Sequence, residues 1–238
     1  MKSIYFALFS PFIGMKMIFK DKTLFLSSVI PILINILLYV GLALLLYNYY
    51  GDILSLVVKT PDTFFKKLLY WISFVFFLLF ALMVFVLSFN IVGSMLLSPF
   101  NTIIAKASYK SLTGLSFAGT SGTVLKDAYK SFKLDLKKLI LIFIPLGILY
   151  VISFFIPVLS IIALVLSFLA ITYQYMDYIM EEKAMKTSQR VKILLNNPLK
   201  STIFGFVVSI AVSIPVIGLI ILPSSVVGAT VLFYHLDT

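Results

Sequence analysis

The residues that could carry chemistry are few in this sequence, and they do not form a catalytic motif. The chain has no cysteine and one histidine, His235, so no disulfide, thiolate nucleophile or cysteine-ligated metal is possible. No Ser-His-Asp set, P-loop, H-E-x-x-H or G-x-G-x-x-G motif occurs, and GTSG at 119–122 lacks the lysine of a phosphate loop. We therefore predict no catalytic residue, no metal site, no cofactor and no enzymatic activity.

Polar residues that follow a long apolar segment are the next candidates, in the sequence TYQYMDYIMEEK. Gln174 and Asp177 follow the apolar segment directly, and Asp177 lies close enough to the membrane that its charge would be costly unless it is paired or hydrated. Lys183 and Lys186 are near Asp177 in sequence, so an interfacial ion pair is its expected role and a proton relay the alternative. The acidic pair at 181–182 is expected to lie on a solvated helix face.

The segment LLSPFNTIIAKASYKSLTG, residues 96–114, turns abruptly from apolar to polar. Asn101 is expected to cap a new amphipathic helix along the membrane interface, and Gly114 to end that helix. The alternative is functional: the first amides of this helix, with Lys106 one turn on, could contact an oxyanion. We expect capping to be the main role.

Composition places these residues in a membrane protein. Of the 238 residues, 61% are hydrophobic and 12% charged, with a mean hydropathy of +1.12. Soluble proteins have about 45–50% apolar residues. The net charge of +10 is almost wholly lysine, which in a membrane protein indicates loops facing anionic lipid rather than nucleic-acid binding.

Four apolar segments define the predicted fold. The first two are long enough for single tilted spans, and Asn35 lies inside the first, as interhelical glue or lining a substrate route. The last two are too long for one span and short for two, and prolines are expected to break them, at Pro145 and Pro157 in the third and at Pro215 and Pro223 in the fourth. We predict an all-α integral membrane protein with two long transmembrane helices and two Pro-broken re-entrant hairpins, or six short spans. The segments are 24–47, 68–97, 139–173 and 201–234.

The remaining segments are expected to be amphipathic. Residues 1–22 lack a cleavage motif and are predicted to be a retained interfacial segment. Residues 101–138 are predicted to form cytoplasmic amphipathic helices. The whole chain, 1–238, is predicted to be a single membrane domain.

Charge placement predicts the topology. If each long apolar segment returns to its starting side, sixteen of the 19 basic residues lie on one side and three on the other. Single crossings would divide them eleven to eight. The positive-inside bias favours the first arrangement, with both termini cytoplasmic and residues 49–67 outside.

Four stretches spread along the chain carry a further signal: IPILINILL (30–38), SPFNTIIA with SLTG (98–114), YQYMDY (173–178) and FG…IPVIGLIILPSSVVGAT (204–230). Taken in order, they resemble the CysZ-type sulfate permease family, which shares its domain with the eukaryotic etoposide-induced proteins. The resemblance covers essentially the whole chain. It implies an inner-membrane, often oligomeric protein with two spanning helices and two re-entrant hairpins, which takes up sulfate for cysteine synthesis.

The resemblance also directs attention to the N-terminal end of the first span. Family members often carry an Arg pair there that is associated with sulfate binding, whereas this chain has the uncharged Leu24-Phe25-Leu26. The nearest cations are Lys20 and Lys22, so we predict capture of the oxyanion near these lysines and Thr23, assisted by helix N-termini at the proline breaks. Expected partners are sulfate or a similar oxyanion, anionic lipid and a second copy of the chain. The alternative function is a non-transport membrane scaffold or lipid-interacting protein of the same fold.

Overall fold

A computed structural model describes residues 2–57, 97–116 and 136–237, together with isolated positions at 64–65, 67–68, 71–72, 75 and 133. The described residues are helical apart from short breaks, and they contain no strand. This confirms the predicted all-α class. The chain divides into two compact units, one of residues 1–32 with 97–238 and the other of residues 33–96.

Eight helices are described. The first two, α1 and α2, meet at Asp21, and α3 is defined by its described residues 97–113. The bounds are α1 Lys2–Lys20, α2 Lys22–Val57, α3 97–113, α4 Ile144–Phe155, α5 Val158–Glu182, α6 Thr187–Asn196, α7 Pro198–Val212 and α8 Pro215–Asp237.

The third apolar segment forms a hairpin of α4 and α5, with the break at Ile156–Pro157 as predicted. The Tyr150 and Ser167 hydroxyls lie 2.9 Å apart across its two arms. The expected second break at Pro145 is wrong, because a π-helical turn, Leu139–Phe143, precedes α4 and the chain stays helical. A wider π turn can absorb a proline that would clash with an α-helical carbonyl. The second arm also continues past residue 173 to Glu182.

The fourth apolar segment is also broken, between α7 and α8 at Ser213–Ile214, directly before Pro215. Proline suits the first turn of a helix, where its missing N–H has no intrahelical partner. The predicted break at Pro223 is wrong, since this proline lies inside α8. Pro11 likewise lies inside α1, so the interfacial segment predicted for 1–22 is a continuous helix as far as Lys20.

Helix α3 corrects the expectation for Asn101 and confirms the one for Gly114. Residues 97–100 are already helical, so Asn101 is not the N-cap. Its buried amide instead donates to the Tyr178 hydroxyl at 3.2 Å, a tertiary bond that satisfies the side chain inside the helix. Gly114 has φ +73°, and its N–H donates to the Lys110 carbonyl at 2.8 Å, as expected for a glycine after the last helical turn.

Helices α1 and α8 approach so closely that their backbones touch at two glycines. A Cβ on Gly14 would lie 2.3 Å from the Ser224 carbonyl oxygen, and one on Gly228 would lie 2.5 Å from that of Ser10. The Ser224 hydroxyl donates to the Pro11 carbonyl at 2.8 Å. Small residues therefore hold the N-terminal helix directly against the C-terminal one.

The core of this unit lies between α5, α7 and α8. Its largest fully buried side chains include Met176, Ile179, Phe204 and Phe233, and Ile104 of α3 joins the same cluster. By contrast, the tip of the first hairpin exposes Phe154 by 85% and Phe155 by 78%. Large apolar side chains at that exposure require a hydrocarbon or protein environment.

The other unit is described mainly through α2, which runs to Val57 and contains the predicted span 24–47. The predicted second span, 68–97, lies almost entirely outside the described residues. The GTSG segment and most of the predicted helix after it also lie outside them.

Two described helical segments are long and apolar enough to cross a membrane, Leu136–Phe155 and Val158–Glu182. Two helix pairs bent by 107° and 93°, at Asp21 and Asn197, would raise the number to four if each pair counts as one span. At 1.5 Å per residue the two arms of the first hairpin measure about 30 and 37 Å, against a hydrocarbon core of about 30 Å. Each arm can therefore cross fully, which the sequence had left open.

Candidate functional site

The predicted oxyanion site lies at the corner between α1 and α2. Lys20, Lys22 and Thr23 are all exposed there. Asp21 stands between the helices: its N–H donates to the Met17 carbonyl at 3.0 Å and closes α1. Its carboxylate accepts from the backbone N–H of Thr23 at 2.8 Å and of Leu24 at 3.3 Å.

The backbone amides at this corner are therefore already occupied by a carboxylate of the protein itself. The first amides of a helix are unsatisfied and attract negative charge. Here the Asp21 carboxylate takes two of them, while the two neighbouring lysines remain exposed to solvent. An incoming oxyanion would meet the lysines first and would compete with Asp21 for the amides.

A second charged cluster lies between the base of the first hairpin and α6. Asp177 on α5 is fully buried. Its Oδ1 accepts a hydrogen bond from Arg190 Nη1 at 2.6 Å. Lys138 Nζ lies 2.7 Å from Oδ2 and forms an ion pair with it. Arg190 Nε also donates to the Met185 carbonyl at 2.8 Å, which fixes the plane of the guanidinium.

The predicted ionic role of Asp177 is confirmed, but the predicted partners are wrong. Lys183 lies over the Phe233 ring, 4.9 Å from its centroid, and Lys186 is exposed. Both of these lysines follow Asp177 closely in sequence. Lys138 and Arg190 come from other segments and approach from two sides, so each carboxylate oxygen faces its own cation.

Three further predicted residues lie on or beside α5. Asn101 reaches Tyr178, and Lys138 Nζ is 5.1 Å from the centroid of the same ring. Lys106 Nζ lies 2.9 Å from Glu182 Oε2, with only 13% of the Glu182 side chain exposed. The solvated face expected for 181–182 is therefore wrong at Glu182, which α3 partly covers.

Asn101 and Lys106 of α3 contact α5 at Tyr178 and Glu182, whereas Asp177 of α5 pairs with Lys138 and Arg190. Gln174 is partly buried on α5. Asn35 lies on α2, in the other compact unit, and its side chain is outside the described residues. The predicted site residues therefore belong to at least two separate places.

Sequence reasoning missed Lys138 and Arg190. Arg190 carried a usable signal, since it is the only arginine in a chain with 19 basic residues. Arginine is the residue suited to a buried carboxylate, because its planar fork donates in fixed directions. Lys138 carried no such signal, being one of four lysines in KSFKLDLKK, residues 130–138.

The two clusters differ in what they can do. The Asp177 cluster joins the start of the first hairpin, its second arm and α6, so it holds both ends of the hairpin at one place. The corner at Asp21 leaves its cations free to meet a solute. Among the described residues no group of three or more His, Asp or Glu side chains could hold a metal ion.

The fold and the site define an all-α, multi-pass membrane protein with a basic, anion-compatible surface. The chain belongs to the Sulfate transporter CysZ/Etoposide-induced protein 2.4 family, whose model matches residues 10–223. This confirms the resemblance found in the sequence.

Two curated relatives match over most of their length. The Sulfate transporter CysZ of Pseudomonas fluorescens is 30% identical over 230 residues, which cover 91% of this chain and 88% of the relative. The Sulfate transporter CysZ of Pectobacterium atrosepticum is 27% identical over 214 residues, 86% of this chain and 76% of the relative. The matched proteins are named as transporters, and the prediction that this chain is not an enzyme is confirmed by this membership.

Proposed function

We propose that this protein transports sulfate, or a similar tetrahedral oxyanion, across the bacterial inner membrane and so feeds sulfur assimilation and cysteine synthesis. The observation that carries the proposal is the nearly full-length similarity to two relatives named as sulfate transporters. The helical, apolar architecture supports it, because a bare dianion cannot cross hydrocarbon without a protein path.

Lys20, Lys22 and Thr23 bind the oxyanion at one end of this path. Support comes from the α1–α2 corner, where two exposed lysines flank the first amides of a long apolar helix. Lysine supplies point charge rather than the two-pronged bonding of arginine. Binding is therefore weak and readily reversed, which suits a site that must release its ion.

The same proposal includes a topology. Lys138 and Asp177 meet although they lie on the two arms of the first hairpin, so that hairpin returns the chain to its starting side. With the positive-inside bias, this favours cytoplasmic termini. The family match over residues 10–223 supports one membrane domain over residues 1–238. The exposed apolar tip at Phe154 and Phe155 suits a homo-oligomer, in which protein covers it.

The decisive experiment is uptake of radiolabelled sulfate into proteoliposomes that contain only the purified protein. We expect saturable uptake above that of empty vesicles, and competition by other tetrahedral oxyanions. Absence of flux together with absence of sulfate binding by calorimetry would reject transport. The protein would then be a scaffold or a lipid-interacting member of the family.

Charge substitutions locate the site. Lys20→Ala with Lys22→Ala should lower sulfate binding by about fivefold or more, since each exposed charge contributes up to about 1 kcal/mol. The matched control is Lys16→Ala with Lys110→Ala, which removes two other exposed lysines and the same net charge. Equal losses in both double variants would indicate a general surface-charge effect and remove the site from the corner.

A further inference from the structure

An apolar groove runs between the first hairpin and α6, close to the Asp177 cluster. Its volume is about 490 Å³. Its walls include Leu146 and Leu149 from one arm, Leu166 and Leu169 from the other, and Leu194 from α6. The transport proposal does not use this groove.

A second groove, of about 470 Å³, shares the lining residue Leu141 with the first. The second groove also has Lys133 and Lys137 on its rim, and both lysines are exposed. The surrounding sequence, KSFKLDLKK, carries four lysines and one aspartate. The apolar surface of the grooves thus ends at the positively charged side chains of Lys133 and Lys137.

The dimensions match one leaflet of a bilayer. From Leu141 to Leu149 the arm rises about 12 Å at 1.5 Å per residue, close to half of a hydrocarbon core of about 30 Å. Lys137 lies one turn before Leu141, at the end of the candidate span Leu136–Phe155. Polybasic residues at the end of a span attract anionic lipids.

We infer that this double groove is a binding site for one anionic phospholipid, with an acyl chain along Leu146, Leu149 and Leu166 and the phosphate at Lys133 and Lys137. The opposite charges of the lysines and the phosphate select this occupant. A zwitterionic lipid such as phosphatidylcholine also carries a phosphate, but its choline cation offsets that charge beside the lysines, and a second copy of this apolar chain would bring few acidic residues. The site does not depend on the transport of sulfate.

The experiment uses tryptophan quenching by brominated lipids in reconstituted full-length protein. Trp71→Phe removes the only natural tryptophan, and Leu166→Trp then places a reporter in the groove. Ile161→Trp is the matched control, on the same helix, 67% exposed and not part of the groove. Dibrominated phosphatidylglycerol competes against unbrominated phosphatidylcholine, and the reverse mixture is measured in parallel.

We expect phosphatidylglycerol to be preferred by about 25-fold at Leu166→Trp, about fivefold for each of the two lysines, and by little at Ile161→Trp. Adding Lys133→Ala and Lys137→Ala should remove the preference, at about fivefold per lysine. Lys110→Ala with Lys192→Ala, two exposed lysines outside the grooves, should leave it unchanged. Reporter proteins are compared only if they elute as single species like the parent.

Three results would overturn the inference. Equal quenching by both lipids at Leu166→Trp would show a groove without headgroup selection. A preference that survives loss of Lys133 and Lys137 would place the phosphate elsewhere. Absence of quenching by either lipid would show that protein, such as a second copy of the chain, fills the groove.

Discussion

Two sites in this protein place an aspartate between cations, and they use it in opposite ways. Asp177 is fully buried and has a cation on each carboxylate oxygen, whereas Asp21 is partly exposed and accepts from two backbone amides while its neighbouring lysines face solvent. Burial decides the difference. A buried charge must be paired and fixed, while an exposed one can exchange its partners with ions in solution.

The largest effect is expected from Asp177→Asn, which leaves Lys138 and Arg190 facing each other in a buried site. Removing one member of a buried ion pair costs about 3–5 kcal/mol. We expect a large fall in the midpoint of thermal unfolding in detergent. Glu182→Gln, in a more exposed pair with Lys106, is the control and should cost much less. Equal losses in the two variants would contradict the distinction between buried and exposed pairs.

Gly228→Ala should disturb the corner while sparing the Asp177 cluster. The added Cβ would lie 2.5 Å from the Ser10 carbonyl oxygen, so α1 must move away from α8. Overpacking of this kind costs about 1–3 kcal/mol, and it should lower sulfate binding because α1 carries Lys20. Gly147→Ala, which meets nothing within 4 Å, is the matched control. It should leave the protein unchanged or slightly more stable, measured by the same unfolding assay.

Arg190→Lys tests whether the buried cluster needs a fixed geometry or only a positive charge. Lysine keeps the charge but loses the bond to the Met185 carbonyl and the fixed direction toward Asp177. We expect a loss of about 1–2 kcal/mol, the value of a charged hydrogen bond, in unfolding measurements. Unchanged stability would mean that charge alone holds the hairpin base.

The smallest effect on stability, and the most informative on function, is expected from Asp21→Asn. Asparagine caps a helix about as well as aspartate, so stability should stay nearly constant, whereas Asp21→Ala should cost about 1 kcal/mol. Loss of the negative charge should raise sulfate affinity by about twofold to fivefold. Calorimetric titration with sulfate measures this change. An unchanged affinity would show that the Asp21 carboxylate does not compete with sulfate.

The same substitution, Asp to Asn, is therefore expected to damage one site and improve the other. Equal losses of stability in Asp177→Asn and Asp21→Asn would contradict the proposed difference between the two sites. That difference would also be contradicted if Asp21→Asn bound sulfate as the parent does while the Lys20 and Lys22 variants failed to bind it.

Much of the fold followed from local patterns. The breaks at Pro157 and Pro215 and the glycine end of α3 were predicted because proline and glycine act on the backbone within one turn. The breaks expected at Pro145 and Pro223 were wrong. A π turn precedes Pro145, and Pro223 lies inside α8, where neighbouring packed elements can satisfy the backbone groups that a proline frees. Asn101 was misread for a similar reason, because its side-chain amide donates a hydrogen bond to the hydroxyl of Tyr178, which is 77 residues away in sequence.

The sequence by itself determined the class of protein, the positions of the two broken apolar segments and the family, because hydrophobic length and proline placement act locally and survive without knowledge of contacts. Only the tertiary structure decided which cations hold Asp177, that Asp21 already fills the amides at the predicted oxyanion site, and that two grooves share Leu141. These facts depend on side chains from distant segments meeting in space. Charge pairing in a chain of similar lysines has no signature in sequence order, so packing alone selects the partner.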